Sequence, residues 1–223
     1  MTSQTDVKVE FIMDTTAASA DYVAEVTAPT ETTTPPWNIT LETTGTSFSN
    51  GSARQLTFTS SGTATEINTV TVTGTDSSNR SITEDVELPI SGALATSTNY
   101  FKTITSAVGA PPTVITETTW PRSVSIGMSS NALQSLPFRT RLKGYSIANG
   151  NINGPIFFFS GVPNASTGAL SPLSFQAFGY ATGNVMSNFT IPGEGILYED
   201  GVTVTYAIST AGAPVRMMNL YYG

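Results

Sequence analysis

Short runs in which apolar residues alternate with polar ones recur along the whole chain. In the clearest run, at 202–208, every second residue is apolar: Val202, Val204, Tyr206 and Ile208. This period of two puts the apolar side chains on one face of a β-strand and the polar ones on the other. We find no apolar run with the 3.6-residue period of an amphipathic helix. The pattern therefore predicts an all-β protein.

Composition supports the same fold class. Threonine accounts for 37 of the 223 residues, and β-branched side chains fit a pleated strand better than a helix. Only 11% of residues are charged, against about 25% in an ordinary soluble protein. Uncharged polar residues must therefore supply much of the surface.

The alternating runs predict strands in both halves of the chain. In the first half they lie at 7–11, 22–26, 37–41, 55–59, 66–73, 80–88, 100–105 and 123–128. In the second half they lie at 138–147, 156–159, 173–177, 185–191, 196–198, 202–208 and 215–222. The runs at 66–73 and 80–88 flank a Gly, Asp, Ser and Asn turn and predict a β-hairpin.

Charge and threonine content divide the chain near one place. Residues 1–120 carry 13 acids and 4 bases, whereas residues 121–223 carry 3 acids and 5 bases. Thirty of the threonines precede Trp120 and seven follow it. Such a shift is typical of a domain boundary, which we place near 129–131. The sequence thus predicts two small β-sandwich or jelly-roll-like domains in tandem, 1–130 and 131–223.

The chain contains no Cys and no His. Ser-His-Asp and Cys-His catalysis, Cys/His zinc sites and disulfides are therefore excluded. We predict no catalytic, metal-binding or cofactor-binding residue and no cofactor. The negative net charge argues against a nucleic-acid partner. The most apolar run, Pro155 to Phe159, is far shorter than the roughly 20 residues of a membrane-spanning helix, so no membrane partner is expected.

Carboxylates leave one enzymatic alternative, because a glycosidase needs only two of them. Asp85 and Glu87 share a face of their predicted strand, while Glu84 points to the other face. A solvated acidic strand face explains the pattern equally well and is the interpretation we prefer. Glu199 and Asp200 are read as part of a turn, with a calcium contact as the alternative.

A basic row is the candidate interaction site. Arg139, Arg141 and Lys143 occupy alternate positions and are predicted to line one strand face, opposite Phe138, Thr140 and Leu142. The row fits either an acidic partner surface or a solvent-facing strand that avoids aggregation. The apolar run at 156–159 is predicted to be core, with a subunit interface as the alternative.

Segments in both halves of the chain carry a resemblance to known proteins. In the first half, VTVTGTD at 70–76, ITEDVEL at 82–88 and TNYFKTITS at 98–106 resemble a segment found in virion structural proteins of tailed bacteriophages, marine ones especially. In the second half RLKGYSIAN at 141–149, FSG at 159–161, IPGEGI at 191–196 and LYYG at 220–223 are similar to small β-domains of phage decoration and fibre-associated proteins.

The resemblance implies a non-enzymatic component of a phage particle. The first expectation is a capsid decoration, or cement, protein on the capsid exterior, with the major capsid protein or other virion proteins as partners. Because decoration proteins commonly sit on threefold axes, it further implies a homotrimer. The alternative is a tail or fibre adaptor whose C-terminal domain binds a receptor or glycan.

Overall fold

The computed structural model describes residues 7–14, 19–27, 37–42, 48, 52–61, 68–88, 93–110, 123–149, 154–164, 167–170, 172–179, 185–207 and 216–223. All regular structure in these ranges is β-strand, and none of them contains a helix. The predicted all-β class is therefore confirmed.

Sixteen strands are present in the described ranges. The first nine are β1 (Lys8–Asp14), β2 (Ser19–Thr27), β3 (Trp37–Asn38), β4 (Ala53–Ser61), β5 (Asn68–Thr75), β6 (Ser81–Leu88), β7 (Leu94–Phe101), β8 (Thr103–Ala110) and β9 (Ser123–Leu136). The rest are β10 (Thr140–Asn149), β11 (Gly154–Ser160), β12 (Leu173–Gly179), β13 (Val185–Thr190), β14 (Ile196–Tyr198), β15 (Val202–Ala207) and β16 (Arg216–Tyr222).

The strands form three antiparallel sheets. The largest runs β12-β11-β15-β9-β4-β7, with β2 also paired to β9. A five-stranded sheet runs β1-β16-β10-β13, with β14 paired to β10, and a four-stranded sheet runs β3-β8-β5-β6. The first and last of the described strands are therefore neighbours, with Lys8 opposite Tyr222.

Buried apolar side chains gather into two clusters, and the largest sheet contributes to both. The first cluster joins β2, β4, β7 and the start of β9 to the four-stranded sheet, with Phe58, Val72 and Ile126 fully buried. The second joins β11, β15 and the end of β9 to the five-stranded sheet, with Phe158 and Val204 fully buried. Each cluster is thus enclosed in a sandwich-like manner, as expected when a sheet buries one apolar face.

Most predicted strands exist, and three of the differences in their extent change how strands are paired. The hairpin of β5 and β6 is confirmed, with Val70 opposite Val86. The single strand expected at 100–105 is instead the end of β7 and the start of β8. These strands belong to different sheets, and the chain bends at Lys102, whose N–H bonds Thr75 O. The strand expected at 37–41 is in register with β8 only at Trp37 and Asn38, and Ile39 N–H donates one further hydrogen bond to Ala107 O of β8 at 2.9 Å.

The third difference concerns β9, which continues to Leu136 instead of ending at 128. Residues 129–131 therefore lie inside a continuous strand. The second cluster also includes Ile12 of β1, from the other side of the predicted boundary. The division into domains 1–130 and 131–223 stays a prediction.

A buried hydroxyl network connects the tip of the β5–β6 hairpin to the second half of the chain. Ser77 Oγ donates to Ser135 Oγ at 2.8 Å, and Ser135 Oγ lies 3.0 Å from Thr203 Oγ1. Thr203 Oγ1 in turn donates to Gly161 O at 2.7 Å. Ser77, Ser135 and Thr203 are all buried, so each hydroxyl depends on its neighbours to replace water.

This network predicts a stability difference between two serines of β9. We expect Ser135→Ala to lower the free energy of unfolding by about 1–3 kcal/mol, because it leaves buried hydroxyls without a partner. The matched change at half-buried Ser125 should stay within about 0.5 kcal/mol. Urea unfolding of both variants measures the difference, and equal values would show that the network adds no stability.

Candidate functional site

The basic row lies at the start of β10, on one side of the five-stranded sheet. Arg141 and Lys143 are part-exposed, whereas Thr140 before them and Leu142 between them are buried. The predicted alternation is therefore confirmed for residues 140–143. Arg139 lies just before the strand, not within it as expected. The Oγ1 of Thr140 donates to Phe138 O at 2.7 Å, a local bond that competes with strand pairing.

A β-bulge ends the basic row at Lys143. The pairing of β10 with β16 shifts register between Leu142 and Gly144, which is what one extra residue in a strand does. Beyond the bulge, Tyr145 and Ile147 take the side that packs into the second cluster. Within β10, the face that carries cations is thus confined to the first four residues, 140–143.

Each cation of the row contacts a residue of the segment 194–199. Arg139 Nε lies 2.7 Å from Glu199 Oε2, and both side chains are 64% exposed. Arg141 Nη1 lies 3.6 Å from Glu194 Oε2, and Lys143 Nζ donates to Glu194 O at 2.8 Å. These acidic neighbours could not be predicted from the sequence, because residues 51 to 60 positions away have no local pattern that links them to β10.

Glycines allow this acidic segment to lie against β10. Gly193 and Gly195 have φ values of +67° and +82°, in the left-handed region that favours glycine. A Cβ on Gly195 would collide with the carbonyl oxygen of Leu142. Gly193 and Gly195 could therefore have indicated a loop from the sequence alone, but not which side chains of that loop contact β10.

The local charge is balanced. Glu194, Glu199 and Asp200 are the only acids of residues 121–223, and two of them contact the three cations. The hydrogen bond from Arg139 lowers the pKa of Glu199 below its ordinary value, and the charges of Arg139 and Arg141 lower it further. Solvent-exposed pairs of this kind contribute little to stability, because water and salt screen them. Carboxylates of a partner could therefore exchange with Glu194 or Glu199 at little cost, and a role as an interface stays a prediction.

The apolar run at 156–159 is divided between two faces of β11. Ile156 and Phe158 are fully buried in the second cluster. Phe157 and Phe159 are half-buried on the opposite face, with ring centroids 6.4 Å apart. Leu173 of β12 pairs with Phe159 and is 51% exposed. We call Phe157, Phe159 and Leu173 the outer apolar row.

A second aromatic group lies between the edge strands β12 and β13. Tyr145 stacks on Phe175 at 6.2 Å and on Phe189 at 5.3 Å. Phe175 also stacks on the fully buried Phe158, at 4.2 Å. Burial raises the pKa of Tyr145. Phe189 is 50% exposed, so one end of this stack reaches solvent.

The carboxylates considered for glycan hydrolysis lie on β6. Glu84 accepts backbone hydrogen bonds from Thr98 and Asn99 at 2.6 and 2.9 Å and thereby ties β6 to β7. Asp85 accepts a 2.6 Å bond from Thr71 Oγ1. Asp85 and Glu87 share an exposed face, as predicted. An absence of enzymatic activity stays a prediction.

The described ranges contain no group of three or more Asp or Glu residues placed to hold a metal ion. In the same ranges, no helix has the length and apolar character needed to cross a membrane. Glu199 and Asp200 form the predicted turn before β15, in which Gly201 has a φ of +90°.

No protein-family model matches the sequence, and no curated protein matches it. The function proposed below is therefore based on the residues and contacts of this chain.

The pairing of Arg139 with Glu199 can be tested by titration. We expect Arg139→Gln to raise the pKa of Glu199 towards its ordinary value, because the hydrogen bond is the largest cause of the lowered pKa. Arg141→Gln is the matched control and should raise it less, since Arg141 acts only through its charge. Carboxyl-carbon NMR titration measures both.

The sign of the pH effect follows from the lowered pKa. Any stability from this pair is present above the ordinary pKa of Glu199 and is lost as the pH falls through the lower folded value. An unchanged Glu199 titration in Arg139→Gln would contradict the pairing.

Proposed function

We propose that the chain is a non-enzymatic structural component of a tailed-bacteriophage particle, namely a capsid decoration, or cement, protein. In this proposal it binds the outside of the shell and stabilises it. Its partners are the major capsid protein or other virion proteins, and copies of itself in a homotrimer. The segments that resemble phage virion proteins, among them 70–76 and 141–149, support the assignment.

The observation that carries the proposal is the outer apolar row. Phe157 and Phe159 alternate with the fully buried Ile156 and Phe158, so the strand that presents them is held by the second core cluster. Aromatic residues are enriched in the centres of protein interfaces, and a contact that is already ordered loses little conformational entropy on binding. These features suit a static contact in an assembly.

In this proposal the basic row contributes more to the orientation of the protein on the particle than to its affinity for the particle. Its cations already have partners, and exposed pairs are weak and screened by salt. Repeated over many copies on one particle, weak charged contacts can still select one orientation. Apolar burial at about 25 cal/mol per Å² then supplies most of the binding energy.

A second candidate function is a tail or fibre adaptor with a receptor-binding or glycan-binding C-terminal half. The observation that favours it is the stack of Phe175, Tyr145 and Phe189, whose last ring is half-exposed. An exposed aromatic face offers a flat apolar surface on which a ligand ring can stack.

Copy number separates the two candidates. A shell protein that contacts repeated capsid subunits should be present in hundreds of copies per purified particle, by the logic of repeated identical interfaces. A tail or fibre protein should be present in single digits or tens. Quantitative mass spectrometry of purified particles measures this number, and a value in the lower range would overturn the decoration assignment.

The outer apolar row predicts an occupancy difference between two exposed leucines. Leu173→Ser should reduce occupancy on particles lacking the protein, because it removes apolar area from the proposed contact. Leu94→Ser is the matched control, since Leu94 is 60% exposed on β7, and should bind as wild type. Titration of stripped particles with each folded variant gives the occupancy.

The same titration tests the basic row. The triple variant Arg139→Glu, Arg141→Glu, Lys143→Glu should bind less well than wild type at low salt and more nearly equally at high salt. Equal occupancy of the folded triple variant at both salt levels would reduce the row to a solvated strand face.

A further inference from the structure

Strand β1 is an edge strand with a regular backbone. In the part of the chain that the structure describes, it pairs only with β16, over seven residues from Lys8 to Asp14 and without a register shift. Within these ranges, no second strand pairs with the N–H and C=O groups on its other side. Native proteins usually interrupt such edges with bulges or prolines, or cover them.

The exposed face of β1 and of the residue before it is apolar. Val7, Val9 and Phe11 alternate along the chain and are 56%, 53% and 51% exposed. The opposite face includes Ile12, which is 2% exposed in the second core cluster. The exposed row is therefore held in place by a buried residue of the same strand.

The sequence of β1 is largely complementary to itself when one copy is reversed about Phe11. Phe11 then lies opposite Phe11 of the second copy, Val9 opposite Met13, and Glu10 opposite Ile12, the one pair that is not complementary. At the two ends, Lys8 of each copy stands at the register position opposite Asp14 of the other, a residue of opposite charge. Directly opposed apolar pairs and opposite-charge pairs both stabilise antiparallel strands.

We propose that β1 pairs in antiparallel orientation with β1 of a second copy of this chain, about a twofold axis through Phe11. The two five-stranded sheets then continue as one ten-stranded sheet. Such an interface is isologous, so each contact occurs twice. The backbone bonds and the apolar row supply the binding energy, and the Lys8–Asp14 pairs fix the register.

The contact is small. A stable dimer usually buries about 1,200–2,000 Å², more than one seven-residue strand offers. We therefore expect weak, concentration-dependent pairing in free solution. A twofold contact can also join copies that belong to different threefold assemblies, so this inference is independent of the proposed trimer and of the particle assignment.

The absence of cysteine permits a register-specific test by disulfide formation in the full-length chain. In Phe11→Cys the two cysteines oppose each other across the axis, within the about 4.4–6.8 Å between Cα atoms that a disulfide requires. In Val9→Cys they are offset by four residues, about 13 Å along the strand. The two positions lie on one face with almost equal exposure.

Under mild oxidation, Phe11→Cys should form the covalent dimer at least about tenfold faster than Val9→Cys. Circular dichroism and thermal melts of the reduced variants establish that both are folded. Equal rates, a faster rate at position 9, or the absence of covalent dimer for folded Phe11→Cys would each overturn the proposal.

The charged ends give a second test in the Phe11→Cys background. Lys8→Glu alone and Asp14→Lys alone should each slow dimer formation, because each places like charges at both ends of the paired strands. A mixture of the two variants restores opposite charges at both ends and should form the mixed dimer fastest. Glu87→Lys, an exposed change on β6, is the control and should leave the rate unchanged. Equal rates for all combinations would overturn the register.

Discussion

The rest of the structure depends on β9, a single strand with residues buried in both core clusters. Val124, Ile126 and Met128 of β9 are buried in the first cluster, and Ala132 and Leu136 of the same strand in the second. Between them, the pairing of β9 with β4 shifts register. There Nη1 of the fully buried Arg54 donates a 2.8 Å hydrogen bond to Ser129 O. A buried guanidinium must be hydrogen-bonded, so the Ser129 carbonyl helps to fix Arg54 at the register shift.

The exposed apolar rows of β11 and β1 alternate with residues of the same strands that are buried in the second cluster. Strand β9 contributes to that cluster as well. The outer apolar row alternates with core residues of β11, and Phe11 neighbours Ile12 in β1. A charge-poor chain thus presents apolar rows on ordered strands. This combination suits lasting contacts with other proteins more than exchange with a mobile ligand, because little entropy is lost when an ordered surface binds.

The accuracy of sequence-based prediction differed between elements for identifiable reasons. The β5–β6 hairpin was predictable because its alternation and its turn residues are adjacent in the chain. The part of β7 before Tyr100 was not predicted, because its inward positions include the polar residues Ser97 and Asn99, both of which are buried. The burial of Ser97 is compensated by hydrogen bonds, one of which its Oγ accepts from Leu56 N–H. The basic row was predictable as a row, whereas its partners Glu194 and Glu199 were not, because they reach β10 through a separate glycine-containing loop.

The sequence by itself determined the all-β class, the positions of most strands and the exclusion of His- and Cys-based chemistry, because alternation and composition are properties of the chain alone. Tertiary structure decided which faces meet. It extended β9 through 129–131, paired β1 with β16, and divided the run at 156–159 into core and surface. These outcomes depend on contacts between residues far apart in the chain, and a local pattern carries no record of its distant partner.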